Sequence, residues 1–460
     1  MPSIAHQQYE ERLAAGRARR EQCPRTRQAD CVLHPQRDVV SMLRQTSAGR
    51  VPGLVPLRYQ RMQASPFTFF RGMAMIQAAD LACGPSSGMR LQLCGDAHLM
   101  NYGFFASPER QLMFDINDFD ETHHGPWEWD VKRLAVSVVL AAREHGFSDE
   151  VAARAVCQLV GTYRRRMQDY ARISQLELWY SKVGFEQLLT RAPNDSIRQQ
   201  LLKLADKARG QTQEKLLPKM TVLDNGNLRL RDDPPVIFHM QQQDQVWGND
   251  EHWLGDDQYQ ELLQPMLARY SHTLKEDRRT LLERFRLVDA AFKVVGVGSV
   301  GTRCLVMLLQ DSYDQPLFLQ LKEARNSVLE PYTQQCIHGH QGKRVVFGQR
   351  LMQAASDLFL GWTTGPGDRH FYVRQLRDMK AAPSLESFGN NESLIAFGQA
   401  CAWALARAHA KSSGQAAELA GYIGQSDKFD QAIASYALAY ADQVKRDFSV
   451  FTAALAKHEL

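Results

Sequence analysis

The feature that most constrains this chain is the order of its polar segments. Residues 95–101 read Gly-Asp-Ala-His-Leu-Met-Asn, and residues 115–120 read Asp-Ile-Asn-Asp-Phe-Asp. A glycine-rich segment, residues 296–301, comes much later and reads Gly-Val-Gly-Ser-Val-Gly. An acid with an amide close behind it, followed by clustered acids, suits a phosphoryl-transfer site, and glycines suit a loop that covers phosphates. If the three segments form one site, the fold must return the late segment to the early ones.

The composition excludes several classes of protein. The 460 residues allow two or three domains or lobes, and 44% hydrophobic with 23% charged residues is typical of globular proteins. A formal net charge of +4 is too weak to predict nucleic-acid binding and fits a nucleotide equally well. Eight cysteines without a CxxC pair predict neither a disulfide framework nor a zinc ribbon. With no signal sequence or long apolar run to be found, we expect a cytoplasmic protein without a membrane partner.

The hydrophobic periodicity predicts an α+β protein. Strand-like alternation occurs at Leu91 and Leu93 and again from 112 to 116, so both acidic segments follow strands. Residues 286–380 contain further strand-like pieces around one helical candidate at 345–358. Helical spacing is found in residues 127–144, 148–222, 393–410 and 429–455. Residues 1–50 are rich in Arg and Gln, which is typical of a solvated helix or arm, and the stretches 241–243 and 249–251 are polar and irregular.

The early segments supply the groups that phosphoryl transfer needs. One carboxylate must face the acceptor hydroxyl, while an amide oxygen and a second carboxylate hold Mg²⁺ against the phosphates. Asp96 is the candidate catalytic base, with Asn101 and Asp118 as the candidate metal ligands. Asp115 also stands at a strand end and is kept as an alternative ligand. His98 is more simply a residue that braces the loop.

A calcium loop is the main structural alternative for the acids at 115–120. Three acids within six residues also occur in exposed turns and in calcium-binding loops. The calcium loop requires a glycine and a later Glu at fixed positions, and both are missing here. This alternative also leaves residues 95–101 unexplained.

Residues 95–101 resemble the catalytic loop of aminoglycoside-phosphotransferase-like kinases, which carry Gly-Asp-x-His-x-x-Asn. Asp118-Phe119-Asp120 resembles the Asp-Phe/Trp-Asp/Glu of those enzymes, which makes Asp120 a further candidate. Asp130 falls where they place a helix-starting Asp that braces the catalytic loop. The resemblance implies ATP and Mg²⁺ as cofactors.

The glycine segment admits two interpretations. A dinucleotide-binding oxidoreductase would need a helix after the glycines and an acid at the end of the next strand. The residues that follow suggest instead a second strand of a hairpin, and the next strand ends at Lys322. That arrangement resembles the phosphate-covering loop and phosphate-pairing Lys of a kinase small lobe. The residues with which it would bind the nucleotide are Gly296, Gly298, Ser299, Gly301 and Lys322.

Two further parts of a kinase small lobe have candidates. Glu330 is the Glu available to orient Lys322, but it comes only eight residues later, closer than such enzymes usually place it. Gln375, after a strand, would belong to a hinge that offers backbone groups to a purine.

The order of these parts predicts circular permutation. The helix at 404–409 resembles the helix that runs directly into the catalytic loop of such kinases, yet here it lies near the C-terminus. We therefore expect a two-lobed kinase-like fold whose helical large lobe is split around a small β-rich nucleotide lobe. The expected parts are a polar helical arm at 1–50, a first large-lobe part at 51–285, the small lobe at 286–382, and C-terminal helices at 383–460.

Nearly the whole chain also resembles the bacterial domain-of-unknown-function family 2252. The resemblance is carried by residues 55–62, 65–67, 92–98, 117–122, 125–130, 296–303 and 374–378. Membership implies no substrate.

The acceptor is not specified by these motifs. Arg58, Arg61 and Arg71 precede the acidic segments and could clamp an anionic acceptor, or could instead form salt bridges with the acids at 115–121. The expected partners are a nucleotide and an unknown small-molecule or protein acceptor. Two alternatives stay open within the same fold: transfer of AMP to a protein, and a nucleotide-binding regulator without catalysis.

Overall fold

The computed structural model of the protein describes residues 9–239, 259–376 and 379–460, with only the backbone described at 259–260. The polar stretches 241–243 and 249–251, and the pair Arg377 and Asp378, lie outside the described residues. The fold is of the α+β class that the periodicity predicts, and helix (54%) outweighs strand (15%).

The elements are numbered here in chain order. The helices are α1 (Tyr9–Gln22), α2 (Val39–Ser47), α3 (Val55–Met62), α4 (Pro66–Gly72), α5 (Ala74–Cys83), α6 (Glu128–Glu144), α7 (Asp149–Tyr170), α8 (Gln175–Tyr180), α9 (Phe185–Thr190), α10 (Asp195–Arg209), α11 (Gln213–Met220), α12 (Tyr259–Ser271), α13 (Glu276–Leu282), α14 (Gln341–Met352), α15 (Asn391–Ser413), α16 (Ala416–Ile423) and α17 (Lys428–Ala456). The strands are β1 (Arg90–Leu93), β2 (Tyr102–Ala106), β3 (Leu112–Ile116), β4 (His123–Pro126), β5 (Thr221–Asp224), β6 (Asn227–Leu230), β7 (Ile237–Phe238), β8 (Arg286–Lys293), β9 (Cys304–Gln310), β10 (Pro316–Glu323), β11 (Gly361–Thr364) and β12 (His370–Gln375). The predicted strands at 91–93 and 112–116 and the helices at 127–144, 393–410 and 429–455 are confirmed to within a few residues.

Helix α1 lies in the segment expected to be a solvated helix or arm, and most of its residues are exposed, but one side of it is docked on α16. The Arg12 guanidinium donates to Glu418 at 2.8 Å, and Arg20 and Arg25 donate at 2.8 Å to main-chain oxygens at the end of α16. The unpaired carbonyls of a helix C-terminus attract cations, which explains why an Arg-rich segment folds here. A Cβ on Gly16 would come within 2.0 Å of the Glu418 carbonyl oxygen, so glycine permits the close approach of the two helices.

Helix α6 is the centre of the helical part. Nearly every residue from Glu128 to Ala142 is buried, because α4, α7, α15 and α17 all pack around it. Its buried polar residues Asp130, Arg133 and Ser137 follow one another at helical spacing, so they share one face. That face is turned toward residues 94–101.

Two short antiparallel strand pairs carry the acidic segments. Strands β1 and β4 pair antiparallel, as do β2 and β3, with Tyr102 opposite Ile116. Residues 94–101 run from β1 to β2, and residues 117–122 run from β3 to β4. The main-chain N–H of Asn117 donates to the Asn101 carbonyl oxygen at 2.7 Å, so the two segments lie side by side.

A six-stranded antiparallel sheet forms the other part of the fold. Its strand order is β11-β12-β10-β9-β8-β7. One face packs against α12 through Leu263, Met266 and Tyr270, and the other packs against α11 through Leu216 and Met220. Segments that the sequence pattern assigned to the part before residue 286 therefore cover this sheet.

Candidate functional site

Residues 94–96 are fixed by Asp130 at the start of α6. The Asp130 carboxylate accepts hydrogen bonds from the N–H groups of Cys94 (2.8 Å) and Gly95 (3.0 Å), and it lies 3.2 Å from His409 Nε2. Gly95 has φ +86°, and a Cβ there would come within 2.1 Å of the Glu121 carbonyl oxygen. Only glycine lets the first acidic loop, residues 94–101, lie this close to the second acidic loop, residues 117–122.

Among the described residues, one carboxylate oxygen of Asp96 has no hydrogen-bond donor. Its Oδ1 accepts from Arg133 Nε at 2.8 Å, while Oδ2 lies 3.8 Å from His98 Nε2. The Asp96 main-chain oxygen accepts from Asn101 Nδ2 at 2.7 Å, which leaves Asn101 Oδ1 as an available oxygen. The side chain of Asp96 is 20% exposed, so Oδ2 can be reached by a ligand.

His98 has the geometry of a bracing residue. Its Nδ1 accepts from the N–H of Met100 at 3.2 Å, and its side chain is buried. Burial, followed by the positive charges of Arg71 and Arg133, holds the His98 pKa well below its usual range. The imidazole is therefore neutral at neutral pH and adds no positive charge beside Asp96.

Lys322 brings the sheet to the second acidic loop. Its ammonium group contacts Asp120 Oδ2 directly and lies 3.9 Å from Asp118 Oδ1. Asp120 Oδ1 also accepts from the Tyr372 hydroxyl at 2.7 Å. Lys322 stands opposite Tyr372 in the register of β10 and β12, so the sheet presents both groups to the same carboxylate.

Asp118 and Asp120 differ in their electrostatics. Burial and the charge of Asp120 raise the pKa of Asp118 above its usual range. Burial would also raise the pKa of Asp120. The charge of Lys322 and the hydrogen bond from the Tyr372 hydroxyl outweigh burial and hold the Asp120 pKa below its usual range. For Lys322, the two carboxylates outweigh burial and raise the pKa of the ammonium group. Asp120 is thus committed to Lys322, whereas Asp118 lies 3.9 Å from the ammonium group and keeps a partly exposed carboxylate.

The glycine loop covers the same carboxylates. It joins β8 to β9, and Ser299 Oγ donates to Asp120 Oδ2 at 3.1 Å. Its outer carbonyl groups are held by the first helices: Gly296 accepts from Arg61 at 2.7 Å, and Gly301 accepts from the N–H of Val51 at 2.8 Å. Within the described chain, the N–H groups of residues 297–299 have no hydrogen-bond partner. Successive free N–H groups of this kind form a concave site for anions.

Three predicted site residues are occupied elsewhere. Both oxygens of Asp115 accept from Arg407 (3.0 and 2.8 Å), and Oδ2 also accepts from the N–H of Ala354 at 2.9 Å. Asp115 is completely buried, so this carboxylate serves an internal ion pair. The structure therefore favours Asp118 over Asp115 as a metal ligand.

Glu330 and Gln375 also have other partners. Glu330 accepts from the N–H of Cys336 at 2.9 Å, and in the described part of the chain the ion-pair partners of Lys322 are the two Asp residues. The short interval from Lys322 leaves Glu330 in a 3-10 turn before α14 instead of on that helix. The N–H of Gln375 donates to Asp357, so this backbone group is already engaged.

The three arginines separate into two roles. Arg58 is buried and donates to Ser47 (3.1 Å) and to the Gly72 carbonyl oxygen (3.0 Å), which ties α3 to α4 and does not reach the acids. Arg61 holds the glycine loop. Arg71 lies within electrostatic range of Asp96 and Asp118, and burial lowers its pKa although both carboxylates oppose this. The Nε atoms of Arg58 and Arg71 are both buried without a hydrogen-bond partner in the described structure. Of these two, Arg71 is the one within electrostatic range of Asp96 and Asp118, so it is the better candidate to meet an anion at these acids.

Comparison with known proteins gives one match. Residues 50–454 match the model of a family described as an uncharacterized protein conserved in bacteria, DUF2252. The chain belongs to this family. Neither a search of curated proteins nor a search of solved structures gives a match.

The DUF2252 chain contains site residues that sequence reasoning missed. Arg133 binds Asp96, and Ser137 Oγ accepts from the N–H of Leu99 at 3.0 Å. Both stand on the Asp130 face of α6, so a polar stripe at helical spacing in an otherwise apolar helix was the available signal. Arg344 donates to main-chain oxygens of the second acidic loop, at 2.9 Å for Asp120. No local pattern marks Arg344, because its partners come more than two hundred residues earlier.

The element after the glycine loop bears on the dinucleotide-binding interpretation of this DUF2252 chain. The glycine loop is followed by β9, which pairs antiparallel with β8, so the helix that a dinucleotide fingerprint requires is replaced by a strand.

Among the described residues, no group of three or more His, Cys, Asp or Glu is placed to hold a metal ion. A Mg²⁺ site does not require such a group, because it commonly uses one or two protein oxygens with phosphates and water. No helix in the described ranges is long and apolar enough to cross a bilayer.

Proposed function

We propose that this protein is an ATP- and Mg²⁺-dependent phosphotransferase with a two-lobed, circularly permuted kinase-like fold. The acceptor is a small molecule or a protein that carries a hydroxyl group. The proposal assigns Asp96 as the base, Asn101 and Asp118 as metal ligands, and Lys322 with the glycine loop as the phosphate-binding groups.

One observation carries the proposal: three distant segments meet at Asp120. Its carboxylate contacts Lys322 of β10, Ser299 of the glycine loop and Tyr372 of β12. Asp120 also lies two residues after Asp118, beside the Asn101 segment. A nucleotide-binding loop, a phosphate-pairing lysine and a metal loop must surround one ligand in such an enzyme. The meeting of the three candidate segments, which are far apart in the sequence, supports this assignment.

Circular permutation is supported by the ends of α15 and β1. Ser412 and Ser413, at the end of α15, line a cavity of about 350 Å³ together with Arg90 and Leu91, at the start of β1. In an unpermuted kinase this helix precedes the catalytic loop in sequence. The short separation in space is what a permuted chain requires, since the lost connection would have to span it.

The available groups fit a magnesium nucleotide. Asn101 Oδ1 and the exposed Asp118 carboxylate are hard oxygen donors of the kind that Mg²⁺ prefers, and the free N–H groups of residues 297–299 suit phosphate oxygens. When bound, the metal would neutralise charge on the transferred phosphoryl group. Lys322 would exchange part of its contact with Asp118 for the nucleotide phosphates.

The transfer step follows from the position of Asp96 Oδ2. The acceptor oxygen forms a bond to the terminal phosphorus, the bond from that phosphorus to its bridging oxygen breaks, and the nucleoside diphosphate leaves. The acceptor proton passes to Asp96 Oδ2, while Arg133 on Oδ1 fixes the carboxylate orientation. Arg71 would stabilise negative charge on the phosphoryl group or on the acceptor.

A second candidate is a nucleotide-binding regulator without catalysis. It is favoured by one observation, that Lys322 is bound by the metal-loop acids while Glu330 faces the other way. The retained Asp96, Asn101 and Asp118 favour the enzyme.

Nucleotide binding is tested by thermal unfolding with and without Mg²⁺ and a non-hydrolysable ATP analogue. At a free ligand concentration of 100 times Kd, we expect about 2.7 kcal/mol of stabilisation for the wild type. Lys322→Ala and Asp118→Ala should each remove it, whereas the exposed Lys343→Ala on α14 should not. Each variant is compared with its own ligand-free midpoint. Full stabilisation in both site variants would refute the assignment.

Catalysis is tested by Asp96→Asn. Loss of a general base costs roughly 10²–10⁴ in rate, so turnover should collapse while nucleotide binding persists. Radiolabel in the γ position of ATP should appear in the product; appearance of an α label instead would establish AMP transfer. Binding without transfer of either label would favour the regulator.

A further inference from the structure

A second cavity lies away from the carboxylate site, the name used here for Asp96, Asn101, Asp118, Asp120 and Lys322. It has a volume of about 860 Å³ and lies among α7, α9, α10 and α15, behind the β2–β3 hairpin. Small-ligand pockets usually measure roughly 300–1,000 Å³. Residues of the carboxylate site and of the glycine loop do not line it. This space, named the apolar cavity below, therefore needs its own explanation.

The floor of the apolar cavity is aromatic and aliphatic. Phe114 packs on Phe104 and on Phe397 with ring centroids 5.2 and 5.6 Å apart, and Phe397 packs on Phe388 at 5.2 Å. Leu201 and Leu204 of α10 and Ala400 of α15 complete it, and all three remain partly exposed. Phe104, Phe114 and Phe388 are buried, so the apolar surface that remains open is that of Phe397, Leu201, Leu204 and Ala400. Apolar side chains left open in a concave site of this volume usually mark a binding site.

The rim of the apolar cavity is strongly cationic. Seven basic side chains line it against one acid, Asp169: Arg164, Arg165, Arg166, Arg172, Arg191, Lys203 and Lys207. Arg164 is paired with Asp430, and Asp169 is paired with Arg166 at 3.2 Å. In the part of the chain that the structure describes, Arg172, Lys203 and Lys207 have no ion-pair partner, and Arg191 has only an aromatic ring.

Trp403 marks the point where the floor meets the rim. Its ring lies under two guanidinium groups, at 4.0 Å from Arg166 and 4.6 Å from Arg191, and its Nε1 donates to the Tyr170 hydroxyl at 2.9 Å. Cations stacked on a fixed ring keep their N–H groups free for an anion. The arrangement holds positive charge at the mouth and leaves the interior apolar.

We propose that the apolar cavity binds an anionic amphiphile with one alkyl chain, such as a long-chain fatty acid or an alkyl phosphate. The chain would occupy the Phe104, Phe397 and Leu204 side, and the anionic head would lie at Arg191, Lys203 and Lys207. Charge complementarity selects an anion, and the apolar floor selects a chain of many methylene groups. The same rim chemistry serves a carboxylate and a phosphate, so the experiment separates these heads. This inference does not depend on the proposed phosphotransferase activity.

The binding experiment uses the full chain and calorimetric titration below the micelle concentration. We expect dodecanoate and dodecyl phosphate to bind, and dodecanol to bind more weakly because it lacks the charge. Each methylene removed from the chain should weaken binding by about threefold to fourfold. Stronger binding of dodecyl phosphate than of dodecanoate would assign the head as phosphate, and the reverse would assign it as carboxylate.

Two variants locate the site. Ala400→Trp should fill the floor of the cavity and weaken the binding of dodecanoate, dodecyl phosphate and dodecanol alike. Lys203→Glu with Lys207→Glu should lower the affinity for the two anions at least tenfold and leave the affinity for dodecanol unchanged. The matched control, Lys445→Glu with Lys457→Glu, makes the same charge change at two exposed positions, one on α17 and one directly after it, and should leave the affinity for every ligand unchanged. Thermal midpoints verify that each variant is folded.

Three outcomes would overturn the proposal. They are absence of binding by any alkyl anion, equal affinity of dodecanoate for the wild type and the Lys203/Lys207 variant, and equal affinity for butanoate and dodecanoate. Binding of an acidic amphipathic peptide without binding of alkyl anions would also overturn it, because it would identify a protein partner in place of a lipid-like ligand.

Discussion

The carboxylate site and the apolar cavity both adjoin the β2–β3 hairpin and have opposite character. In the β2–β3 hairpin, Phe104 and Phe114 face the cavity, while Asp118 follows the end of β3. In α15, Trp403 lines the cavity and Arg407, one turn later, binds Asp115. One hairpin and one helix thus present aromatic rings on one side and charged groups on the other.

The comparison teaches why one region could be anticipated and the other could not. Phosphate and metal chemistry fixes residue types at short intervals, so the carboxylate site leaves local motifs. An apolar cavity needs only the absence of a few large side chains among helices. Its lining residues run from Phe104 to Gln425, and each of them individually resembles ordinary core or surface.

The largest expected effect concerns Asp115, which joins the two regions through Arg407. Asp115→Asn should destabilise the fold by about 3–5 kcal/mol, because it leaves a completely buried guanidinium without its counter-charge. Urea unfolding with a two-state fit measures this change, provided that the transition is cooperative.

Asp118→Asn is the matched control, three residues away. It should change stability by less than about 1 kcal/mol, since Asp118 is partly exposed and Lys322 keeps Asp120. The opposite pattern, a stable Asp115 variant that no longer binds Mg²⁺ and nucleotide, would make Asp115 the ligand and remove the structural role assigned to it.

The same distinction shows how far the sequence alone could lead. The strand ends followed from periodicity and are confirmed, and the candidate acids followed from the needs of phosphoryl transfer. The candidate lysine followed from the resemblance to a kinase small lobe. The partners of Asp115 and Glu330 did not follow, because a carboxylate at a strand end has the same local sequence whether it binds a metal or an arginine from a distant helix. The docking of the Arg-rich start of the chain did not follow for a related reason, since the carbonyl groups that hold Arg20 and Arg25 lie some four hundred residues later.

The next largest expected effect is on the pH dependence of ligand binding, which should differ between the carboxylate site and the apolar cavity. The raised pKa of Asp118 means that its carboxylate takes up a proton at higher pH than usual, and a protonated carboxyl cannot bind the metal. Affinity for the magnesium nucleotide should therefore decrease as the pH is lowered. Below the pKa of Asp118 the decrease should approach tenfold per pH unit. No histidine is found among the described residues that line the apolar cavity, so binding of decanesulfonate, whose charge is constant, should change little between pH 5.5 and 8.

Titration of both ligands in the same buffers measures these profiles, after correction for protonation of the nucleotide itself. A flat nucleotide profile would argue against Asp118 as a ligand. A steep decanesulfonate profile would show that a titrating group takes part in the cavity.

The smallest expected effect is the coupling between the two regions. They share the β2–β3 hairpin, yet the Asp115–Arg407 pair between them is rigidly held by four hydrogen bonds to Asp115, from Arg407, Ala354 and Ile116. We therefore expect the affinity for the nucleotide analogue to change by less than about 0.5 kcal/mol when the cavity is saturated with dodecanoate, as for independent sites. Titrating each ligand in the presence and absence of the other measures the same free energy twice, because the coupling is reciprocal. The Lys203→Glu with Lys207→Glu variant provides the control in which dodecanoate should have no effect at all. A coupling of 1–3 kcal/mol in both directions would mean that the shared hairpin moves between two arrangements, and the amphiphile would then be a regulator of the carboxylate site.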